Sequence, residues 1–196
     1  PNPAQFNQTL FDIEQIEVLR GPQGALYGRN AIGGAITIVT AAPTDEFEGK
    51  VILGVDDGPG WRVQGAASGP IGSSEDWKFR VSGSFYDTDG WIDNPYLGSE
   101  ADPVEDLSAR LRLLYEPSDT FSADFRLSGS SLDTQALYFK IDAEVDDTDL
   151  DVRVNNPGVN DRDFFTSSLK LEWYQDYGTF TSITAYDDLE ELLTGD

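Results

Sequence analysis

Residues 16–40 read IEVLRGPQGALYGRNAIGGAITIVT, with strand-like runs on either side of a glycine-rich centre. A phosphate-binding loop is one interpretation of such a centre. A Walker loop needs Gly-Lys-Ser/Thr before a helix, whereas Arg29 and Asn30 follow Gly28 and no helix is signalled there. The GxGxxG spacing of a dinucleotide site is also absent. The pattern instead favours a tight loop whose glycines supply positive φ angles and close backbone approach.

After Pro43 the sequence changes to short runs in which apolar and polar residues alternate, separated by Gly, Pro, Asn, Asp and Ser. From Trp77 to Phe85, for example, apolar residues and a glycine alternate with Lys78, Arg80 and two serines. Because successive side chains of a strand point to opposite faces, each run has one apolar and one polar face. The pattern predicts seven consecutive antiparallel strands around residues 51–55, 61–67, 77–85, 107–115, 121–127, 165–173 and 179–186, the last with ambiguous faces.

Two architectures fit this alternation. In a soluble sandwich the apolar face points into a core, whereas in a membrane barrel it points to lipid and the polar face lines a wet lumen. The connections at residues 70–76, 117–119 and 176–178 are short and those at 87–103 and 133–162 are long; only 57–60 breaks the alternation in length. Such alternation favours a membrane barrel, and a mean hydropathy of -0.38 is compatible with one. Aromatic residues near predicted strand ends suit interfacial girdles: Trp61, Trp77, Tyr115 and Trp173.

Composition excludes several classes of function. The chain has 196 residues with 13 Lys and Arg against 36 Asp and Glu, a net charge of -23, so most of its surface would repel a nucleic acid. It contains no Cys and no His, which removes disulfides, thiolate or imidazole metal sites and the usual general base. Adjacent carboxylates such as Glu190 and Glu191 point to opposite faces of a strand and are poor acid/base partners. We therefore expect no enzymatic activity and no cofactor.

Three blocks carry a resemblance to a known family. Residues 19–24 read LRGPQG, residues 26–30 read LYGRN and residues 33–40 read GGAITIVT, and they follow a strand-like DIEQIEV at residues 12–18. Their order and spacing closely resemble the last part of the plug domain of TonB-dependent outer-membrane receptors. The alternating runs begin just after Pro43, where such receptors pass from the plug into the barrel.

The resemblance implies a mainly β fold. Residues 1–42 would be the C-terminal part of a small α+β plug domain, and residues 43–196 the N-terminal strands of a transmembrane antiparallel β-barrel. Because such receptors have about 22 strands around the plug, this chain is expected to be a fragment that lacks the TonB box, the first part of the plug and most of the barrel. Open strand edges cannot face lipid, so the fragment alone is not expected to transport anything.

The resemblance also implies a mechanical role for the glycine-rich motif. Arg20 matches a plug arginine that pairs with glutamates of the barrel wall in the family. A guanidinium forked onto carboxylates would hold the plug and still yield to a modest pull. Its glutamate partners would lie on strands outside this chain, and capping of a turn is the alternative role for Arg20. The predicted latch and motif comprise Arg20, Gly21, Pro22, Gly24, Tyr27, Gly28, Gly33 and Gly34.

The long connections contain further candidate sites. Trp91, Tyr96, Tyr138 and Phe139 are predicted to contact an arriving ligand by stacking and hydrogen bonding, with packing on the barrel rim as the alternative. Asp147, Asp149 and Asp151 present oxygen ligands for a hard cation, but no glycine or distal glutamate completes an EF-hand loop, so a solvated acidic loop is the favoured interpretation.

These inferences predict energy-coupled uptake of a scarce nutrient across the bacterial outer membrane. A ferric siderophore is the leading cargo because iron chelates are the commonest cargo of the family; vitamin B12, haem and oligosaccharides are alternatives. The implied partners are the TonB–ExbB–ExbD complex, outer-membrane lipid and lipopolysaccharide, with the plug facing the periplasm. The alternative from a different class is a soluble β-sandwich adhesion module that binds calcium.

Overall fold

The computed structural model describes residues 10–28, 31–136 and 153–195. It begins with an antiparallel hairpin, here called the N-terminal hairpin, made of β1 (Ile13–Arg20) and β2 (Gly34–Thr40). Its connecting loop includes one helical turn, α1 (Gly24–Tyr27). Alternation of β-branched residues explains both strands, because Ile16 pairs with Ile38 and Val18 pairs with Ile36 on one face.

No helix in the described part of the chain is long and apolar enough to cross a membrane.

The remaining strands follow in chain order. They are β3 (Glu48–Asp56), β4 (Gly60–Pro70), β5 (Trp77–Thr88), β6 (Asp93–Asn94), β7 (Ser99–Glu100), β8 (Val104–Ser118), β9 (Phe121–Thr134), β10 (Val159–Gln175) and β11 (Gly178–Thr194). The short β6 and β7 pair only with each other, and the other seven form one antiparallel sheet of order β11-β10-β9-β8-β5-β4-β3. This sheet, here called the large sheet, confirms the seven predicted strands and leaves its two edges open.

The connections of the large sheet differ in length between its two ends. Residues 71–76, 119–120 and 176–177 connect strands at one end, the short-loop end. At the other, the long-loop end, the strands are separated by residues 57–59, 89–103 and 135–158, of which only 57–59 is short, as the sequence pattern expected. The predicted connection from Asp133 to Arg162 was drawn too long. Asp133 lies in β9, where it pairs with Asp161, and Arg162 pairs with Leu132. Strand pairing depends on backbone groups, so it continues past the apolar pattern that marks a strand in the sequence.

Burial in the large sheet is the reverse of burial in a soluble domain. One face, the apolar face, exposes Val51 by 73%, Leu53 by 73% and Val55 by 85%. Among the described residues the only buried apolar side chains are Phe11, Ala101 and Ala136, whereas Ser68, Ser82, Ser84, Thr88, Asn94, Asp124 and Asn160 are all buried. A soluble sandwich would need a second sheet over the apolar face, and no described strand provides one. The predicted sandwich alternative is therefore wrong, and the face suits contact with lipid.

Aromatic side chains form rows across the apolar face. Near the short-loop end Trp77 stacks on Tyr115 with ring centroids 4.3 Å apart, and the row continues through Phe121, Trp173 and Phe180. Nearer the long-loop end Trp61 lies 4.9 Å from Phe85 and Phe165 lies 6.4 Å from Tyr186. The two rows are about 26 Å apart along a strand, or about 20 Å along the membrane normal for a strand tilt of about 40°. Two aromatic rows that border an apolar band in this way are the pattern of the girdles of a membrane barrel.

The ambiguous faces of β11 are explained by its register. Phe180 lies opposite Trp173 and Tyr186 opposite Ser167, which places both aromatics on the apolar face. Ser182 and Thr184 lie between them on that same face, whereas Ile183 points to the other side. Both faces of β11 are therefore mixed in polarity, and alternation alone could not have assigned them.

We predict that Leu111→Arg destabilises the full-length protein by about 2–4 kcal/mol, because Leu111 lies midway between the two aromatic rows on β8 and a charge there would face the middle of the bilayer. The matched control is Leu107→Arg, on the same face and strand but near the long-loop end, with an expected cost of about 0–1 kcal/mol. Denaturant unfolding from lipid vesicles measures both. Equal costs would contradict the assignment of the apolar face to lipid.

Candidate functional site

The glycine-rich motif closes the N-terminal hairpin. Gly21 has φ 88°, and its N–H donates to the carbonyl of Gly33 at 3.3 Å. Gly34 has φ 146°, and a Cβ on it would lie 2.4 Å from the carbonyl oxygen of Leu19. A side chain at either position would therefore strain the loop, as the sequence interpretation of the glycines expected. Pro22, Gly24, Tyr27, Gly28 and Gly33 belong to the same loop, in which the N–H of Tyr27 donates to the carbonyl of Gln23.

Arg20 ends β1, where it pairs with Gly34, and its side chain is exposed. Within the described residues no salt bridge joins it to a carboxylate. Its predicted glutamate partners were expected on strands outside this chain. The latch at Arg20 stays a prediction.

A different ion pair attaches the N-terminal hairpin to the large sheet. Asp12 immediately precedes β1, and its carboxylate accepts hydrogen bonds from Nε of Arg80 at 2.7 Å and from Nη2 at 2.5 Å. Both side chains are largely buried, with 7% of Asp12 and 12% of Arg80 exposed. Asp12 has φ 56°, a left-handed conformation that Asp tolerates better than most residues. A forked guanidinium–carboxylate pair of this kind is strong and directional.

Arg80 also reaches the segments on the other side of the hairpin. Its Nη1 donates to Oε1 of Glu48 on β3 at 2.8 Å and to the carbonyl oxygen of Ala42 at 3.3 Å. The N–H of Ala41 in turn donates to the carbonyl of Asp12 at 3.1 Å. One guanidinium on β5 thus joins the chain before β1, the chain after β2 and the first strand of the large sheet.

A second arginine completes the contact. Arg110 on β8 donates through Nη2 to the carbonyl oxygen of Phe11. The ring of Phe11 is buried, with 4% exposed, and Nζ of Lys50 on β3 lies 5.8 Å from its centroid. We call this set the anchor: the side chains of Asp12, Arg80, Glu48 and Arg110, with the carbonyls of Phe11 and Ala42.

The link from β2 to β3 is held separately from the anchor. The backbone N–H and hydroxyl of Thr44 both lie 2.9 Å from the hydroxyl of Ser68, which donates to the carbonyl of Phe79 at 3.0 Å. Ser68 is fully buried. Lys78 adds an ion pair to Asp45 at 2.6 Å. The chain that follows the hairpin is therefore fixed to β4 and β5 even without Asp12.

The electrostatics of Asp12 favour the paired state. The hydrogen bond from Arg80 holds the pKa of Asp12 below its ordinary value of 3.8, although burial opposes this. The carboxylate is therefore ionised throughout the neutral range.

The predicted ligand-contact residues lie at the long-loop end. Trp91 is 54% exposed and Tyr96 is 67% exposed, in the connection that carries β6 and β7. The backbone N–H of Trp91 donates to Asp102 at 2.9 Å, and its indole donates to Asp57 at 3.4 Å. Nothing in the described residues joins either ring to the glycine-rich motif. Tyr138, Phe139, Asp147, Asp149 and Asp151 lie outside the described residues.

The described residues contain no group of three or more acidic side chains placed to hold a metal ion.

Sequence reasoning missed the anchor. Asp12 was assigned to the strand that leads into the motif, but β1 begins one residue later, at Ile13. Arg80 was interpreted only as a member of a polar face, and Arg110, within the predicted strand at residues 107–115, was given no role. The available signal was their position: each lies in the interior of a predicted membrane strand, in a chain of strongly negative charge. Such residues need a carboxylate, a carbonyl or water on the side away from lipid.

Comparison with known proteins gives a family match at the start of the chain. Residues 2–35 match the family described as TonB-dependent Receptor Plug Domain. The matched range includes Asp12 and all of the predicted latch and motif residues from Arg20 to Gly34.

Individual relatives extend the match into the large sheet. The chain is 35% identical over 105 residues to the ferric enterobactin receptor PirA of Pseudomonas aeruginosa, covering 50% of this chain and 14% of that protein. It is 39% identical over 72 residues to the vitamin B12 transporter BtuB of Photobacterium profundum, covering 36% of this chain and 12% of that protein. Among solved structures, the ferric yersiniabactin uptake receptor FyuA of Yersinia pestis matches with a TM-score of 0.79 and 25% identity, over 95% of this chain and 30% of that one.

We predict that Asp12→Asn weakens the attachment of the N-terminal hairpin by about 2 kcal/mol. Isolating a buried charge completely costs about 3–5 kcal/mol, but Arg80 keeps Glu48 and the carbonyl of Ala42 as partners. Denaturant unfolding of the full-length protein in detergent measures the change. The matched control is Asp45→Asn, because Asp45 is 84% exposed beside Lys78 and its loss should cost no more than about 0.5 kcal/mol. An equal loss of stability in the two variants would show that the Asp12–Arg80 pair stabilises the protein no more than an exposed ion pair does.

The same pair of proteins gives a pH control. Because the folded-state pKa of Asp12 is depressed, its stabilising contribution is fully present above the ordinary pKa and is lost as the pH falls through the folded value. The difference between wild type and Asp12→Asn should thus stay constant from about pH 7 to about pH 5 and shrink below about pH 4. A difference that persisted undiminished to about pH 2 would contradict the role of the ionised carboxylate.

Proposed function

The chain is a segment of a TonB-dependent receptor of the bacterial outer membrane, and on this premise we propose that the whole protein imports a ferric siderophore with energy supplied through TonB. Its large sheet is an open section of the receptor β-barrel, in agreement with the predicted fold class. The observation that carries the cargo is that the Pseudomonas and Yersinia receptors are named for iron chelates, ferric enterobactin and ferric yersiniabactin. The matched vitamin B12 transporter makes that vitamin the cargo to test as an alternative.

In this proposal residues 1–42 are the C-terminal part of the plug and residues 43–196 are the first strands of the barrel. The apolar face of the large sheet then lies against lipid. The opposite face, which carries Arg80 and Arg110, faces the plug. Since the link from β2 to β3 belongs to the short-loop end, that end is periplasmic and the long-loop end is extracellular.

The anchor supports a specific view of how a pull on the plug is transmitted. TonB, with ExbB and ExbD, would pull from the N-terminal side of the plug, so the tension reaches Asp12 before it reaches β1. The chain after β2 is fixed independently by Thr44 and Ser68. We therefore propose that the anchor contacts of Phe11 with Arg110 and of Asp12 with Arg80 are the first contacts between this hairpin and the barrel to bear the load, while residues 41–47 keep the hairpin tethered.

The extracellular end provides the proposed first contact with cargo. Trp91 and Tyr96 are exposed on the connection that contains β6 and β7, and Asp102 fixes the backbone of that connection by accepting the N–H groups of Trp91 and Ile92. Exposed rings on a fixed connection suit stacking against a planar part of a chelate. Lipopolysaccharide would surround the same end of the barrel.

We predict that the full-length receptor, expressed in an outer-membrane host from which its own iron-chelate receptors have been deleted, restores uptake of radioactive iron supplied as ferric enterobactin. Uptake should stop when proton-motive force is collapsed or when TonB is absent, because the cargo is moved against its gradient at the expense of that force. Cells given labelled vitamin B12 serve as the control. Restored uptake of vitamin B12 without uptake of iron would show that the cargo is the vitamin and not a siderophore. Uptake that continues unchanged when TonB is deleted would refute energy coupling.

We also propose that Arg20 latches the plug to barrel glutamates. Arg20→Gln should raise the frequency of open events in planar-bilayer recordings of the full-length receptor several-fold, because a forked ion pair would be replaced by a neutral contact. Arg20→Lys, which keeps the charge but loses the fork, should give an intermediate value. If Arg20→Gln leaves the conductance and the unfolding profile unchanged, the residue only caps the turn before Gly21.

A further inference from the structure

The indole of Trp91 packs against a different connection from the one that carries it. Trp91 lies in the connection of residues 89–103, whereas Gly58 lies in the turn of residues 57–59 between β3 and β4. A Cβ placed on Gly58 would lie 2.3 Å from Nε1, 2.4 Å from Cε2 and 2.6 Å from Cδ1 of the indole. Three adjacent ring atoms at nearly equal distances place Gly58 over the face of the five-membered ring and not at its edge. Only glycine leaves room for that contact.

The turn beneath the indole is fixed by the end of β5. The hydroxyl of Thr88 donates to the carbonyl of Gly58, and Thr88 is buried, with 3% exposed. The N–H of Gly90 donates to the same hydroxyl at 3.2 Å, and the N–H of Asp89 donates to the carbonyl of Pro59 at 3.5 Å. One buried hydroxyl thus holds the turn and the start of the next connection in a single arrangement.

Two carboxylates fix the orientation of Trp91. Oδ1 of Asp102 accepts the backbone N–H of Trp91 at 2.9 Å and that of Ile92 at 2.8 Å, which sets the path of the backbone. Asp57, in the turn, accepts the indole N–H at 3.4 Å. The ring is therefore held through its backbone, through its N–H and against one of its faces.

The other face of the indole is open to solvent. Trp91 is 54% exposed even though Gly58 covers one face, and none of the aromatic ring pairs in the described part of the chain includes Trp91. A ring that is already held in one orientation loses little conformational entropy when a planar group stacks on it. Offset stacking of two rings adds to the area that they bury. The exposed face is thus prepared for a planar ligand.

We propose that Asp57, Gly58 and Thr88, here called the indole seat, are positioning residues for cargo: they hold the indole of Trp91 so that its open face stacks on a planar ring of the iron chelate. The turn between β3 and β4 then takes part in cargo recognition without touching cargo. This role in cargo binding rests on the proposed function, whereas the orientation of the indole does not.

The orientation is tested on the full-length receptor labelled with fluorotryptophan and purified in detergent. Trp91→Phe identifies the fluorine resonance of Trp91 by its loss. Gly58→Ala should shift that resonance and leave those of the other tryptophans in place, because the new Cβ would occupy the space beneath the ring. An unshifted Trp91 resonance overturns the proposal.

Equilibrium dialysis with radioactive ferric enterobactin, a chelate with planar aromatic rings, measures the consequence for cargo. Gly58→Ala should weaken binding about two- to tenfold, the range expected for the loss of one aromatic stacking contact. Thr88→Val, which keeps the side-chain shape but loses the hydroxyl, should weaken binding by a smaller factor. The maximal rate of iron uptake should stay the same, because only the first contact with cargo is changed. Unchanged binding by Gly58→Ala overturns the assignment to cargo.

A double-mutant cycle separates positioning of the ring from general damage to the turn. In a Trp91→Ala background, Gly58→Ala should cause no further loss of binding, because its effect acts through the ring. The matched control is Gly49→Ala, the same substitution on β3, where the Cβ would lie 3.8 Å from the carbonyl oxygen of Ala66, an ordinary contact. It should change neither the Trp91 resonance nor binding. Equal losses from Gly58→Ala in both backgrounds overturn the positioning role.

Failure of the proposed function gives a different result from failure of the indole seat. If the wild type binds no ferric enterobactin, the assignment to this cargo is overturned, and a shift of the Trp91 resonance in Gly58→Ala still supports the orientation of the indole. If the wild type binds and imports the chelate but Gly58→Ala leaves the resonance unshifted, the proposed function stands and the indole seat is overturned.

Discussion

A strand that crosses a bilayer must find partners within the protein for every backbone N–H and C=O, because an unpaired group in hydrocarbon costs several kcal/mol. Apart from the open edges of β3 and β11, the large sheet satisfies this with long antiparallel registers, and the one shift among its described pairs lies between Tyr115 and Ser118, at the short-loop end. Side-chain placement follows from that pairing. Once the ladder is set, the two-residue period sends Leu111 to the lipid side and Arg110 and Arg112 to the side of the hairpin.

The same constraint explains where the charges are. Charged side chains in the interior of a membrane strand are costly unless they face a wet or protein-filled space and have partners there. Arg80 meets Asp12 and Glu48, Arg112 and Arg126 share Asp124, and Arg110 meets a backbone carbonyl. The anchor and the group formed by Arg112, Asp124 and Arg126 are thus two consequences of one arrangement, in which the face away from lipid holds arginines that the apolar face could not hold.

The two ends of the N-terminal hairpin are attached to the large sheet by different kinds of contact, and this difference affects how the hairpin responds to a pull. The chain after β2 is fixed by hydrogen bonds to a fully buried serine and by an exposed ion pair between Asp45 and Lys78, whereas the chain before β1 is fixed chiefly by the largely buried Asp12–Arg80 pair. Water that enters as the pair separates would solvate both charges, so once the pair begins to open it weakens more readily than a contact that stays dry. A hairpin attached in this way can move at its N-terminal side while its C-terminal side stays tethered to β4 and β5.

The sequence by itself determined the strands and the family. Period-two alternation marked six strands of the large sheet, strand-like composition marked the seventh, and the order of blocks in residues 16–40 marked the motif. All three signals lie in residues that are neighbours in the sequence. Only the tertiary structure decided the anchor, in which Asp12 and Arg80 are 68 positions apart and Phe11 and Arg110 are 99 apart. It likewise decided the faces of β11 and the true start of β10. These features depend on strand register and on the path of residues 41–47, and no local pattern specifies which distant residues a register brings together.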